Sequence, residues 1–155
     1  HILVPGNAHV LLLECSHQRY FLFNVYMPQN QQLAINIVQE ISTFLTNNLS
    51  NESVIFVGDF NCTLTPKDRN NCQEHKEKLV QELSNFLFRF NLQDAWRLFY
   101  PHKRQYTYHG LQPHLTQSRL DRIYGSPGFL GLLSSVSHRI SFSDHDSVQC
   151  VFLTF

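Results

Sequence analysis

No charge of either sign predominates in this chain. Twelve Lys and Arg balance twelve Asp and Glu, so the net charge is zero and the whole molecule has no general attraction for polyanions. Only small basic clusters remain, Arg97 with Lys103 and Arg104, and Arg119 with Arg122, and such clusters usually form solvated surface. The four cysteines, Cys15, Cys62, Cys72 and Cys150, contain no Cys-x-x-Cys pair, which argues against a zinc ribbon. Their spacing is not that of a secreted disulfide framework, so buried thiols in a reducing compartment are expected. Asn-x-Ser/Thr acceptor patterns begin at Asn48, Asn51 and Asn61 and are read as chance. No apolar run approaches the roughly 20 residues of a membrane-spanning helix. His1 to Gly6 shows no charged leader or cleavage site, and the first residue is not methionine. A processed product, an excised domain or a fragment is the expectation. No internal repeat or low-complexity linker divides the sequence.

What is present is material for a core. The 155 residues are 43% hydrophobic and 15% charged, which suits one packed domain. Residues 9–14 and 19–26 are rich in strand formers, and Cys15 to Gln18 reads as a hairpin loop. Pro28 ends the second strand. Ala34, Ile37, Val38, Ile41, Phe44 and Leu45 recur at helical spacing over 31–49. A strand is expected over 53–57, a polar loop from Thr63 to about Cys72, and a second amphipathic helix over 74–90. Asp94 is placed to cap a short turn through Phe99. Further strands are expected at 106–108, 119–124 and 147–155, with a β-rich segment near 133–140. Helices between strands, with hairpins as well as crossovers, predict a mixed α/β layered fold.

Five places carry chemistry. The apolar run Val54 to Val57 enters Gly58-Asp59-Phe60-Asn61, a strand buried on both faces that delivers its end to a sheet rim. While extended, Asp59 and Asn61 point the same way, as a polar site would require, yet an Asx-type turn reads equally well. Ser143-Asp144-His145-Asp146 precedes the last apolar strand and offers a proton-exchanging imidazole beside carboxylates able to bind a hard cation. In Arg119-Leu120-Asp121-Arg122-Ile123-Tyr124, a strand would place Arg119, Asp121 and Ile123 on one face. Asp121 needs a partner there, either Arg119 or Arg122 as structure, or His145 as function. Tyr26 at a strand end and Thr107 between two tyrosines could offer hydroxyls to a phosphate and a substrate groove, although core packing and strand propensity explain them too.

The order of these motifs is more specific than any one of them. Tyr-x-Pro, Gly-Asp-Phe-Asn followed by Asp68-Arg69, Gln105-Tyr106-Thr107-Tyr108, Leu120-Asp121-Arg122-Ile123 and Ser-Asp-His occur in succession. This succession resembles the endonuclease/exonuclease/phosphatase superfamily of Mg²⁺-dependent phosphoesterases. Within it, the endonuclease domain of LINE-type non-LTR retrotransposons is most similar. The resemblance implies a DNase-like layered β-sandwich flanked by helices and lacking its N-terminal strands, with residues 1–155 as the C-terminal two-thirds of one domain. It implies Mg²⁺, with Mn²⁺ as a substitute, and DNA nicking. It also implies no membrane, a nuclear or cytoplasmic location, and a longer polyprotein carrying a reverse transcriptase.

By the same resemblance, Asp59 acts at the nucleophilic water and the metal, Asn61 positions the water or phosphate, and Tyr26 contacts the phosphate. Asp121 orients His145, the general base or transition-state stabiliser. Asp144 belongs to the metal site, and Thr107 and Arg69 lie on the DNA side. The family's upstream metal-binding Glu has no match in His1–Asn7. Glu14 and Glu40 are the nearest acids, so a weakened metal site and strands without partners are expected. The alternatives are a small phosphorylated substrate on the same fold, or an inactive remnant serving as a binding module.

Overall fold

The computed structural model describes residues 2–15, 17–71, 76–110 and 115–153. Cys72, the expected start of the second helix at 74 and 75, and the expected strand end at 154 and 155 lie outside these residues. The chain opens with β1 (Ile2–Val4), β2 (Ala8–Cys15) and β3 (Gln18–Tyr26), joined antiparallel. Helix α1 (Gln31–Asn48) then crosses over to β4 (Ser53–Asp59), which pairs parallel to β3. The helix starts where Asn30 accepts a hydrogen bond from the Leu33 N–H. Its apolar stripe, Ala34, Ile37, Val38, Ile41 and Leu45, is buried against the sheet.

After β4 the chain makes a 3₁₀ turn (Pro66–Asp68) and then forms α2 (Glu77–Arg89). Leu79, Leu83, Phe86 and Leu87 are the buried face of α2. Next come β5 (Gln93–Asp94), α3 (Ala95–Phe99), β6 (Tyr108–His109), β7 (Gln117–Ser118) and β8 (Asp121–Gly125). Asp94 caps α3 as expected, accepting from the Arg97 N–H. The chain closes with α4 (Pro127–Leu130), β9 (Leu133–Arg139) and β10 (Ser147–Phe152).

Three layers result. Helices α1 and α2 cover one face of a sheet of order β1-β2-β3-β4-β8-β5. On its other face, Ile55 and Ile123 pack against α3, α4 and the β9–β10 hairpin through Trp96, Phe129 and Val136. The β2 end of this second face is bare: Leu11 is 53% and Leu13 40% exposed. Unpartnered apolar strand surface was the expectation there. Cys62 is buried and Cys150 half-buried, but Cys15 is exposed at the hairpin end, so the expectation of buried thiols fails for it.

Several elements differ from the sequence-based expectation. The strand expected over 106–108 is only Tyr108–His109. The strand expected from Arg119 begins at Asp121, and Arg119 turns into the interior instead of sharing a face with Asp121 and Ile123. The polar loop after Thr63 is not solvated throughout, because Thr63 and Asp68 are buried. β1 and α4 are too short to leave a periodic signal.

Gly58 decides how closely β4 approaches β3. Its φ is +139°, and a Cβ there would sit 1.9 Å from the Val25 carbonyl oxygen. Neither the backbone conformation nor the space admits a side chain. Gly58→Ala is expected to lower unfolding free energy by at least about 2 kcal/mol, read from urea denaturation. A change within about 0.5 kcal/mol, the range of ordinary surface substitutions, would contradict the packing described.

Candidate active site

Strand register builds the first row of the site. Tyr26 of β3 lies opposite Asp59 of β4, and Asp59 lies opposite Asp121 of β8. Directly paired residues present their side chains to the same face. The three therefore stand abreast at one rim of the sheet. Just beyond Asp59, Phe60 is fully buried, 6.0 Å from the Phe56 ring and 5.1 Å from Tyr124, and anchors the turn from inside.

Asn61 shows that the turn and the site are one structure. Its φ is 45°, so it leaves the extended conformation, and the Asp59 carboxylate accepts its N–H at 2.8 Å. The alternation expected for an extended Asp59-Phe60-Asn61 therefore does not apply, yet both polar side chains border the same cleft. The Asn61 amide donates to the Met27 carbonyl at 2.8 Å and accepts from Gln29 at 2.6 Å. Lys76 donates to the Asn61 carbonyl at 2.8 Å and to Gln29 at 3.0 Å. Gln29 and Lys76 were not foreseen. Gln29 follows the Tyr-x-Pro motif closely, but nothing local distinguishes Lys76 from any other helix-start lysine.

His145 arrives from the segment between β9 and β10. Its Nδ1 lies 2.8 Å from the Asp121 carboxylate, and its ring lies 5.1 Å from that of Tyr108. Of the partners open to Asp121, the imidazole is the one engaged. Arg119 turns to Asp68 and Asp94, and Arg122 to the Tyr124 hydroxyl and the carbonyls of Cys62 and Arg119. Burial lowers the proton affinity of His145, but the Asp121 hydrogen bond and charge, aided by Asp59 and Asp144, outweigh it and raise the pKa. The pKa of Asp59 is raised by burial, lowered in part by the Asn61 N–H, and raised further by the neighbouring Asp121 charge.

The remaining expected residues fall in different places. Tyr26 is 50% exposed and borders the cleft, which has a volume of about 540 Å³. Arg69 borders it too, its Nε donating to the Ser118 hydroxyl at 3.2 Å. Asp144 is exposed on the cleft wall, outside the cluster formed by Asp59, Asp121 and His145. Thr107 offers nothing to a groove. It is fully buried, and its hydroxyl accepts the backbone N–H groups of Leu120 and Asp121, each at 3.0 Å.

Ligand atoms of Asp59, Asp121 and His145 lie within 4.8 Å of one another. Two carboxylates suit a hard cation that retains part of its water, as Mg²⁺ does. The Asp59 pKa is raised mainly by burial and in part by the Asp121 charge, and a bound cation would favour the ionised form against both. Glu14 and Glu40 are exposed and belong to no such cluster.

Beneath the site lies a buried ionic layer. Asp68 and Arg119 are each 1% exposed, with Arg119 Nε donating to Asp68 at 2.8 Å. Arg97 and Thr65 also donate to Asp68, and Arg119 reaches Asp94. Burial works against the Asp68 carboxylate, but Arg122, Arg119 and Arg97 hold its pKa down at about 2.

Residues 21–145 match the endonuclease/exonuclease/phosphatase family, and the chain belongs to it. An uncharacterized 149 kDa protein of transposon TX1 from Xenopus laevis is 33% identical over 95% of this chain. The chain spans 11% of that relative's length. Among solved structures, an AP endonuclease from Archaeoglobus fulgidus superposes with a TM-score of 0.78 at 18% identity, over 92% of this chain and 64% of its own. A 3′ phosphatase from Neisseria, bound to a product DNA hairpin, also reaches 0.78, at 19% identity over 97% and 72%. The catalytic domain of Xenopus laevis APE2 reaches 0.71, at 20% identity over 95% and 55%. These likenesses establish the DNase-like α/β layered fold.

The buried layer generates two expectations. Asp68→Ala leaves Arg119 buried without its principal partner, and a loss of about 3–5 kcal/mol in urea denaturation at pH 7 is expected. Because the folded pKa of Asp68 lies below the unfolded one, its contribution is complete above the unfolded pKa and disappears as pH falls through about 2. That contribution is on the order of 2 kcal/mol, and a denaturation series from pH 6 to pH 2 should show it in the native chain and not in Asp68→Asn.

Proposed function

We propose that the chain is a divalent-metal-dependent phosphodiesterase that nicks DNA. The observation that carries this reading is the convergence of Asp59, Asp121 and His145, from a strand end, a strand start and a loop, with ligand atoms within 4.8 Å of one another beside a cleft that Asp59 and His145 line. Arg69, Lys76 and the exposed Tyr26 on the same cleft favour an extended polyanion over a small neutral ligand. The Neisseria structure's DNA and the transposon origin of the Xenopus relative point the same way.

The residues divide the work as follows. Asp59, held by the Asn61 N–H, orients the attacking water against phosphorus. Tyr26 donates a hydrogen bond to a non-bridging phosphate oxygen. His145, its Nδ1 committed to Asp121, uses Nε2 to stabilise charge developing on the phosphoryl group. Its raised pKa favours the protonated form that such stabilisation requires. Asp59 and Asp121 would hold Mg²⁺ or Mn²⁺, with Asp144 near enough to influence His145. When bound, the cation neutralises charge on the phosphate and the leaving oxygen.

The transposon relative, of whose length this chain spans 11%, also supports placing it in a longer element-encoded polypeptide. We infer a reverse transcriptase in that polypeptide, and action in the nucleus or cytoplasm, from the motif order alone. Among the described residues no helix is long and apolar enough to cross a membrane.

A supercoiled-plasmid nicking assay tests the reading. Slow Mg²⁺-dependent conversion to open circles is expected from the 155-residue chain, because two carboxylates converge among the described residues. EDTA should abolish it, and His145→Ala should reduce it on the order of 10²–10⁴-fold. Nicking that persists in EDTA, or that ignores the loss of His145, would overturn the mechanism.

A further inference from the structure

The segment that carries His145 has little burial to hold it. Ile140 is 92% exposed, Phe142 is fully exposed, and Ser141, Ser143 and Asp144 are exposed as well. A loop so exposed would open readily unless specific contacts fixed it. Apart from the His145–Asp121 bond itself, the contacts that tie it to the fold run to one short strand, β6, and the residue before it. His109 donates its backbone N–H to the Asp144 carbonyl at 2.8 Å, and Asp146 donates its own to the Thr107 carbonyl at 2.6 Å. A β-bridge joins Tyr108 to His145.

A second imidazole–carboxylate pair closes this seam. His109 Nε2 lies 3.1 Å from the Asp146 carboxylate, whose side chain is 9% exposed. Gln117 on β7 lies 3.2 Å from His109 Nδ1 and holds the ring from the other side. The other Asp146 oxygen accepts the Ser141 N–H at 3.4 Å, so the carboxylate also braces the loop internally. The same stretch of chain, through the Thr107 hydroxyl, holds the backbone at Asp121. Residues 107–109 therefore meet both members of the Asp121–His145 pair: Asp121 through Thr107, and His145 through Tyr108, with His109 holding the residues on either side of His145, Asp144 and Asp146.

We propose that His109 and Asp146 are positioning residues that seat the 141–146 loop on β6 and so deliver His145 to Asp121. The inference rests on the reading of His145 as a working residue, but the pairing can be tested without any turnover. Neither residue touches the reacting atoms. A single imidazole–carboxylate hydrogen bond with its histidine half-exposed would contribute little to global stability, whereas one that fixes a loop acts on the geometry of the residue between its anchors.

The test uses the 155-residue chain and two measurements. In the first, proton NMR follows the His145 Nδ1–H bonded to Asp121, a resonance downfield of the amides and assigned by its loss in Asp121→Asn. His109→Ala and Asp146→Ala are expected to lose this resonance with the far-ultraviolet circular dichroism unchanged. His109→Gln, whose amide can still donate to Asp146, is expected to keep it. In the second, plasmid nicking should show kcat lowered on the order of 10–100-fold in either alanine variant, with KM for DNA little changed. The double variant should be no worse than the single ones, as for residues acting as one unit.

Retention of the resonance in His109→Ala would overturn the proposal. So would a rise in KM at constant kcat, which would make His109 a DNA contact instead. If the native chain nicks nothing while the resonance behaves as expected, the positioning role stands and the nuclease reading fails.

Discussion

Asp68 and Arg119 meet in the interior, each almost without solvent, and three parts of the chain are fixed by their meeting. Asp68 belongs to the turn that follows β4. Arg119 leads into β8. Arg97 and Asp94, which complete the cluster, belong to α3 and its cap. The backbone adds its own bond, from the Arg119 N–H to the Asp68 carbonyl at 2.7 Å. A buried charge pair of this kind is costly to break, because the partner left behind keeps its desolvation without its counter-charge. That asymmetry makes the relative position of β4 and β8 a well-defined quantity. Asp59 ends one of these strands and Asp121 begins the other, so a charge pair that neither of them joins reinforces the β4–β8 register that sets the two carboxylates opposite each other.

The site above this layer is held in electrostatic tension. Two carboxylates and an imidazole meet in one cluster, with Asp59 destabilised in its charged form and His145 stabilised in its charged form. Asn61 is held by Met27, Gln29 and Lys76 and cannot relax away from Asp59. Thr107 contributes from underneath, spending its hydroxyl on two backbone N–H groups at the start of β8. Charge that cannot disperse by side-chain movement is charge that a cation or a phosphate can meet without first reorganising the protein.

Much of this was legible because it is local. The apolar run into Gly58 gave β4, helical spacing gave α1 and α2, and Asp94 gave the start of α3. Asp59, Asn61, Asp121 and His145 were legible as chemistry because their residue types stand at strand ends next to apolar runs. Thr107 misled for a physical reason. Strand alternation gave it a face, but alternation does not say whether that face meets solvent or another strand's backbone. Asp144, expected at the metal site, is exposed on the cleft wall beside His145, while Asp121, 24 positions away from His145, makes the expected contact with the imidazole.

The sequence by itself determined the order of elements, the helical and strand faces, and the residue types able to carry phosphoester chemistry. These depend on periodicity and backbone preference, which act over a few neighbours. Only the tertiary structure decided which acid meets which base. Arg119, Arg122 and His145 were all available to Asp121. The choice was made by the register that aligns Tyr26, Asp59 and Asp121, by the buried demand of Asp68 for Arg119, and by the loop that brings His145 across. Charge pairing in a folded chain is settled by three-dimensional distance and burial, and neither is a function of spacing along the sequence.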